Sequence, residues 1–153
     1  MKIVDKIFIK RPAATVWAFL EDPENMPAWN PNVQRVSAPR LSKPKLGYRY
    51  AISYRLGSKA PENFQAEFVV YAPPSKLVIR HSQGSARVSE RIIEESYELT
   101  ERDGGCLLRQ TILVKNSGIN IFIRLLVWLI QTFGKPSGKT YLEDLRDIVE
   151  GEA

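Results

Sequence analysis

From Asn32 onward, apolar and polar residues alternate with a period of two for more than eighty residues, and no other feature narrows the choice of fold as much. A period of two puts successive side chains on opposite faces of an extended chain, which is the pattern of a half-buried strand. Candidate strands cover 32–38, 47–56, 63–72, 76–82, 86–101 and 105–116. Turn-forming residues separate them: Pro39 to Gly47, Gly57 to Pro61, Pro73-Pro74-Ser75, Gly84-Ser85 and Asp103-Gly104-Gly105. Links this short join antiparallel neighbours, because parallel strands need long crossovers. The alternation is clearest at 48–56, where Tyr48, Tyr50, Ile52, Tyr54 and Leu56 share one face opposite Arg49, Ser53 and Arg55. One face of the sheet is therefore dry and the other wet.

Different rhythms flank this run. Lys2 to Lys10 reads as a further strand with Ile3, Ile7 and Ile9 in phase, stopped by Arg11-Pro12. Ala13 to Glu21 switches to helical spacing, with Val16, Phe19 and Leu20 on one face and Trp17 beside them. Asp22-Pro23 offers an N-cap and a first-turn proline for a second short helix, which Pro27 and Pro31 keep brief. Near the end, Tyr141, Leu142, Leu145, Ile148 and Val149 form the apolar stripe of an amphipathic helix that closes at Gly151. Seven antiparallel strands have one inner face to cover, and the terminal helix is the sizeable element available to cover it. The expected class is α+β: a seven-stranded antiparallel sheet curled around a long C-terminal helix, with two short helices after the first strand. With no repeat or linker, residues 1–153 are expected to form one domain.

Composition removes whole classes of chemistry. One cysteine, Cys106, leaves no internal disulfide and no multi-cysteine metal site, and one histidine, His81, leaves no His-His metal motif. No serine sits in a G-x-S-x-G elbow. Gly134-Lys135-Pro136-Ser137-Gly138-Lys139-Thr140 imitates a phosphate-binding loop, but Phe133 stands where that motif needs glycine and an apolar helix precedes it instead of a strand. We expect no metal and no cofactor. The N-terminus lacks a continuous apolar run of the signal-peptide kind, so the expected setting is cytoplasmic.

The net charge of +5 is unevenly placed. Residues 1–60 carry 11 basic and 4 acidic side chains, and no acid lies between Glu24 and Glu62. Residues 35–59 are thus either a solvated surface or a contact for an anionic partner such as RNA, anionic lipid or an acidic protein. Ile119 to Phe133 is apolar almost all round, with a narrow stripe of Asn120, Arg124 and Gln131. At about 22 Å it is too short to cross a bilayer, which needs about 20 residues. It either packs into the core, plugs a cavity mouth, or meets a membrane, cargo or another subunit. Oligomeric state is not legible.

The run Arg11 to Val33 (R-P-A-A-T-V-W-A-F-L-E-D-P-E-N-M-P-A-W-N-P-N-V) resembles the opening of START-like SRPBCC proteins, within them the polyketide cyclase/dehydrase and lipid-transport group. Tyr97-Glu98-Leu99 through Asp103-Gly104-Gly105-Cys106 is similar to that family's penultimate hairpin, although many members carry threonine where this chain has Cys106. The resemblance implies a helix-grip fold with a ligand cavity between sheet and terminal helix. The functions it implies run from lipid carriage and quinone chaperoning to polyketide cyclisation and ribosome-associated roles. Sharing a fold does not choose among them.

Phase identifies the inward side chains. They are Tyr48, Tyr50 and Tyr54; Phe64, Ala66 and Phe68; His81 with Leu77 and Ile79; Ile93, Tyr97 and Leu99 with Arg91 and Glu95; and Leu108, Ile112 and Val114 with Gln110. A charge under a curled sheet is costly unless partnered, so Arg91 and Glu95 either meet a polar ligand or face His81, Gln110 and the tyrosines. A one-residue bulge would instead turn both to solvent with Glu90, Glu94 and Glu98. His81 is either an acid–base group or a histidine at the cavity mouth making an ordinary hydrogen bond. A Cys106–His81 dyad is excluded by the strand between them, which sets them about 9–10 Å apart. Trp29 matches the family's tryptophan and belongs near the cavity entrance or in the core.

The leading expectation is a binding module: an apolar pocket that takes a lipid, polyketide or quinone-like molecule, oriented by Trp29, Tyr48, Tyr50, Tyr54, Phe64, Phe68, His81, Arg91, Glu95, Tyr97 and Gln110. One alternative is cyclase or dehydratase chemistry with Glu95 and His81 as acid and base and Arg91 steadying an enolate. The other is an interaction protein that docks through the basic region 35–59.

Overall fold

A computed structural model describes residues 2–55, 60–83, 91–115 and 141–151, without the side chains of Arg91, Val114 and Lys115. The elements run β1 (Lys2–Ile9), α1 (Ala13–Leu20), a 3-10 turn (Pro23–Asn25), α2 (Met26–Trp29), β2 (Val33–Ser37), β3 (Arg49–Tyr54), β4 (Glu62–Ala72), β5 (Lys76–Gln83), β6 (Arg91–Arg102), β7 (Gly105–Lys115) and α3 (Tyr141–Glu150). Seven strands form one antiparallel sheet in the order β1-β7-β6-β5-β4-β3-β2. The expected architecture is present, with a terminal helix described from Tyr141. The segments 84–90, 119–133 and 134–140 lie outside the described residues.

Local chemistry sets the boundaries. The expected second helix divides in two: Asp22 caps the 3-10 turn by accepting from the Glu24 N–H, and Pro27 then restarts the chain as α2. The β6–β7 hairpin turns on Asp103 (φ 49°) and Gly104 (φ +78°), and positive φ at both central residues is the requirement of the tightest hairpin turn. Gly105 follows because a Cβ there would run into the Ile9 carbonyl oxygen.

The inner face is apolar and continuous. Ile9, Ile52, Phe64, Phe68, Leu77, Tyr97 and Leu108 are buried on it, beneath Val16 and Trp17 of α1 and Leu142 and Leu145 of α3. The outer face carries a row of alternating charge, Arg49–Glu67–Arg80–Glu94, directly opposed strand by strand from β3 to β6. Arg49 pairs with Glu67 and Arg80 with Glu94 (3.1 Å). This row pins the register, since a slip of one residue would bury four charges.

α3 is tied down at both ends. At its start the Tyr141 hydroxyl accepts from Asn32 Nδ2 (3.2 Å). At its close Glu150 accepts through Oε1 from the Lys10 N–H (2.7 Å) and through its carbonyl from the Arg11 guanidinium (2.6 Å). The described helix therefore lies across the sheet from the β2 entrance to the β1–α1 corner.

Candidate functional site

A pocket of about 80 Å³ lies where α3 and α2 meet one end of the sheet. Its buried wall is Trp29, Tyr54, Phe64, His81, Ile93, Glu95 and Leu142, and half-buried residues, among them Asp5, Asn30, Gln110 and Tyr141, form its rim. The register explains why these residues meet. His81 on β5 faces Ile93 on β6 and Ala66 on β4, while Glu95, one pleat along, faces Ile112 on β7.

Glu95 is the centre of the polar wall. No bulge interrupts β6 against either neighbour, so the side chain turns inward and is only 7% exposed. Its Oε2 accepts from the Tyr97 hydroxyl (2.7 Å) and its Oε1 from the Tyr54 hydroxyl (3.3 Å). Gln110 Nε2 donates in turn to the Tyr97 oxygen (3.2 Å), which fixes the direction of that hydroxyl. Burial first, and then the Glu95 charge, hold the Tyr54 and Tyr97 phenols well above their ordinary range, so both stay protonated donors.

His81 is 1% exposed, so the expected alternative of a mouth histidine does not hold: it sits in the floor, separated from the β1 edge of the pocket by β7 and β6. Among the described residues its Nδ1 has no hydrogen-bond partner, and its Nε2 comes no nearer than 3.5 Å to Glu95 Oε1. Burial pulls the imidazole below its ordinary value of 6.5, with the Glu95 charge opposing. The ring is neutral at pH 7, with one nitrogen as donor and the other as acceptor.

This has a measurable consequence. A histidine held neutral by the fold favours the unfolded chain once the latter takes up a proton, so stability is full above about pH 6.5 and falls as pH drops through the lowered folded value. We expect His81→Leu to be at least as stable as the parent at pH 7, because it removes two unsatisfied ring nitrogens. Its loss of stability between pH 7 and pH 5 should be shallower than the parent's. Urea midpoints at three pH values decide this; parallel curves would contradict it.

Phase places the remaining candidates unequally. Trp29, Tyr54, Phe64, His81, Glu95 and Gln110 line the pocket, and Tyr97 stands behind Glu95. Tyr50 keeps a buried hydroxyl without a partner among the described residues, raised by burial and by the Glu95 charge. Tyr48 and Phe68 pack instead into an aromatic group with Tyr50 and Tyr71, away from the pocket wall. The Arg91 side chain is outside the described set. Asp5, Asn30, Asn32 and Tyr141 line the pocket without having been singled out. Two of them left a signal: Asp5 as an acid in phase with Ile3, Ile7 and Ile9, and Tyr141 as the first residue of the terminal helix's apolar stripe. Cys106 is buried beside Ile9 at the other end of β7, so no dyad with His81 forms.

Over residues 1–150 the sequence matches the family described as "Polyketide cyclase / dehydrase and lipid transport". The chain belongs to this family. Among solved structures, the family's fold recurs in protein MLL2253 from Mesorhizobium loti, 16% identical, TM-score 0.70, covering 100% of this chain and 99% of that one. TTHA0849 from Thermus thermophilus is 15% identical at TM-score 0.67, with 100% and 99% covered. Ara h 8.0201 is 11% identical at TM-score 0.65, with 99% and 98% covered. At such identities the likeness is one of fold, here the helix-grip arrangement. No curated protein matches the sequence. Among the described residues, no group of His, Cys, Asp and Glu is arranged to hold a metal ion, and no helix is long and apolar enough to cross a membrane.

Proposed function

We propose that this member of the family binds an apolar small molecule between sheet and terminal helix and orients it through one hydrogen-bond donor placed against Glu95. The observation that carries this is a buried carboxylate beside an unpartnered neutral histidine in an otherwise apolar pocket wall. Buried polar groups are normally satisfied within the fold, and orphans mark places where something else completes the set. The described lining contains the acceptor-only carboxylates of Glu95 and Asp5 and no lysine or arginine, beside Asn30, Asn32, Gln110 and Tyr141, which can both donate and accept, so it suits a group that does both. Among lipid, polyketide and quinone-like molecules, this favours those bearing a hydroxyl. Ligand pockets usually measure about 300–1,000 Å³. The 80 Å³ hollow among the described residues has room for a ring or a head group. A buried free cysteine agrees with a reducing compartment, and we take the cytoplasm as the setting.

Native mass spectrometry of the protein from its source, with displacement of a fluorescent fatty alcohol, tests this. The expected result is a bound apolar ligand, and affinity about tenfold weaker in Glu95→Gln. Neither a bound nor a displaceable ligand would overturn the proposal.

One observation favours a second reading. A neutral histidine 3.5 Å from a carboxylate puts two bases in one pocket wall, and either can take a proton from a polyketide-like substrate and return it during dehydration or cyclisation. Turnover that survives both Glu95→Gln and His81→Ala would dismiss it.

A further inference from the structure

The link between β2 and β3 presents the most exposed apolar side chains among the described residues, on the most basic stretch of the sequence. Leu41 is 101% exposed and Leu46 is 64% exposed. Between and beside them stand Arg40, Lys43 and Lys45, all exposed and without an acidic partner among the described residues, in a run that contains no acid from Glu24 to Glu62.

This link is held at its base. The Gly47 N–H donates to the Phe68 carbonyl (2.8 Å), the Phe68 N–H donates to the Tyr48 carbonyl (2.9 Å), and the Tyr48 N–H donates to the Lys45 carbonyl (3.1 Å). Gly47 takes φ +80°, a backbone state that leaves few alternatives to glycine. The Tyr48 ring is buried against Phe68, and Pro39 and Pro44 each fix φ on the way. Two leucines are thus offered to the outside from an anchored base, not left out by a loose one.

We propose that residues 39–46 dock the protein on an anionic lipid surface, with Leu41 and Leu46 entering the acyl boundary and Arg40, Lys43 and Lys45 meeting the headgroups. Neither element suffices alone. Cations near a negatively charged leaflet strengthen binding several-fold each, and leucine side chains supply the apolar burial that charge cannot. A nucleic acid would satisfy the cations and leave both leucines wet, and the link has no aromatic ring on which a base could stack. A second copy of this chain would bring like charge against like charge. The register also sets the orientation. Val33 and Tyr54 pair at the pocket end of the β2–β3 hairpin, whereas Ser37 and Ala51 pair toward the link, so docking leaves the pocket at the far end of the sheet. Membrane attachment and ligand binding are therefore separable.

Sedimentation of the full chain with sucrose-loaded vesicles tests this. Binding should be at least about tenfold stronger to phosphatidylcholine vesicles containing one-fifth phosphatidylserine than to phosphatidylcholine alone, and should weaken with salt. Leu41→Ala/Leu46→Ala, with every charge retained, should lose about tenfold, and Lys43→Glu/Lys45→Glu should lose at least as much. All these side chains are exposed, so both variants should keep the parent's circular dichroism and melting temperature. Equal binding to neutral vesicles, no binding to either, or a leucine variant that binds like the parent would overturn the proposal. Binding to polyuridylate that exceeds binding to anionic vesicles and ignores the leucines would do the same, in favour of RNA.

Discussion

Leu145→Ala is expected to destabilise the protein by about 2–5 kcal/mol, the range for truncating a fully enclosed leucine. Leu145 has no exposed surface and sits in the middle of α3, between the Tyr141–Asn32 bond and the Glu150 contacts with Lys10 and Arg11. Those polar ties are only part-buried and hold the helix ends in place, while Leu142 and Leu145 supply the burial between them. A loss of this size is a large part of a typical total stability of about 5–15 kcal/mol. Urea unfolding should show a lower midpoint with an unchanged slope. Because Tyr141 and Leu142 also line the pocket, ligand affinity should fall in the same variant under fully native conditions. A loss below about 1 kcal/mol would mean that α3 is not part of the cooperative core.

The second large effect is expected at Tyr97→Phe. The hydroxyl donates to Glu95 Oε2 and accepts from Gln110 Nε2, so its removal leaves a buried carboxylate oxygen and an amide short of a partner. Hydrogen bonds to charged groups contribute about 1.5–3 kcal/mol, and a destabilisation in that range is expected. Tyr48→Phe is the matched control. Among the described residues its hydroxyl reaches only the Pro39 carbonyl, at 3.5 Å, and the change should cost well under about 1 kcal/mol. If the two variants melt alike, the Glu95 cluster does not hold its side chain as described. If only Tyr97→Phe also weakens ligand binding, the cluster aims the carboxylate as well as satisfying it.

The strands were legible because each carries its own alternation. The 48–56 segment shows tyrosines on one face and charges on the other, and the observed β3 keeps that division. Turn chemistry was equally direct at Asp103-Gly104, where both residues take positive φ. The pocket was legible only in part, for a geometrical reason. Phase tells which face a side chain takes but not how far along the sheet it lies relative to the covering helices. Tyr48, just before β3, and Tyr54, at its end, share a phase, yet Tyr54 reaches the pocket and Tyr48 packs with Phe68. Asn30 and Asn32 sit in a connection without periodicity, so nothing local pointed to them. His81 was readable as inward but not as orphaned, because the absence of a partner depends on every neighbouring element at once.

The strand order has a consequence for how the chain reaches this state. β1 pairs with β7, joining Ile9 to Cys106 and Lys2 to Leu113, so among the described strands β1 waits for β7 before it gains a sheet neighbour. Contacts so distant in sequence raise the contact order and slow folding, and they leave nascent apolar surface open in the meantime. Ile3, Ile7 and Ile9 on a growing polypeptide therefore stay available to holding factors until about a hundred more residues have left the ribosome, at about 5–20 residues per second.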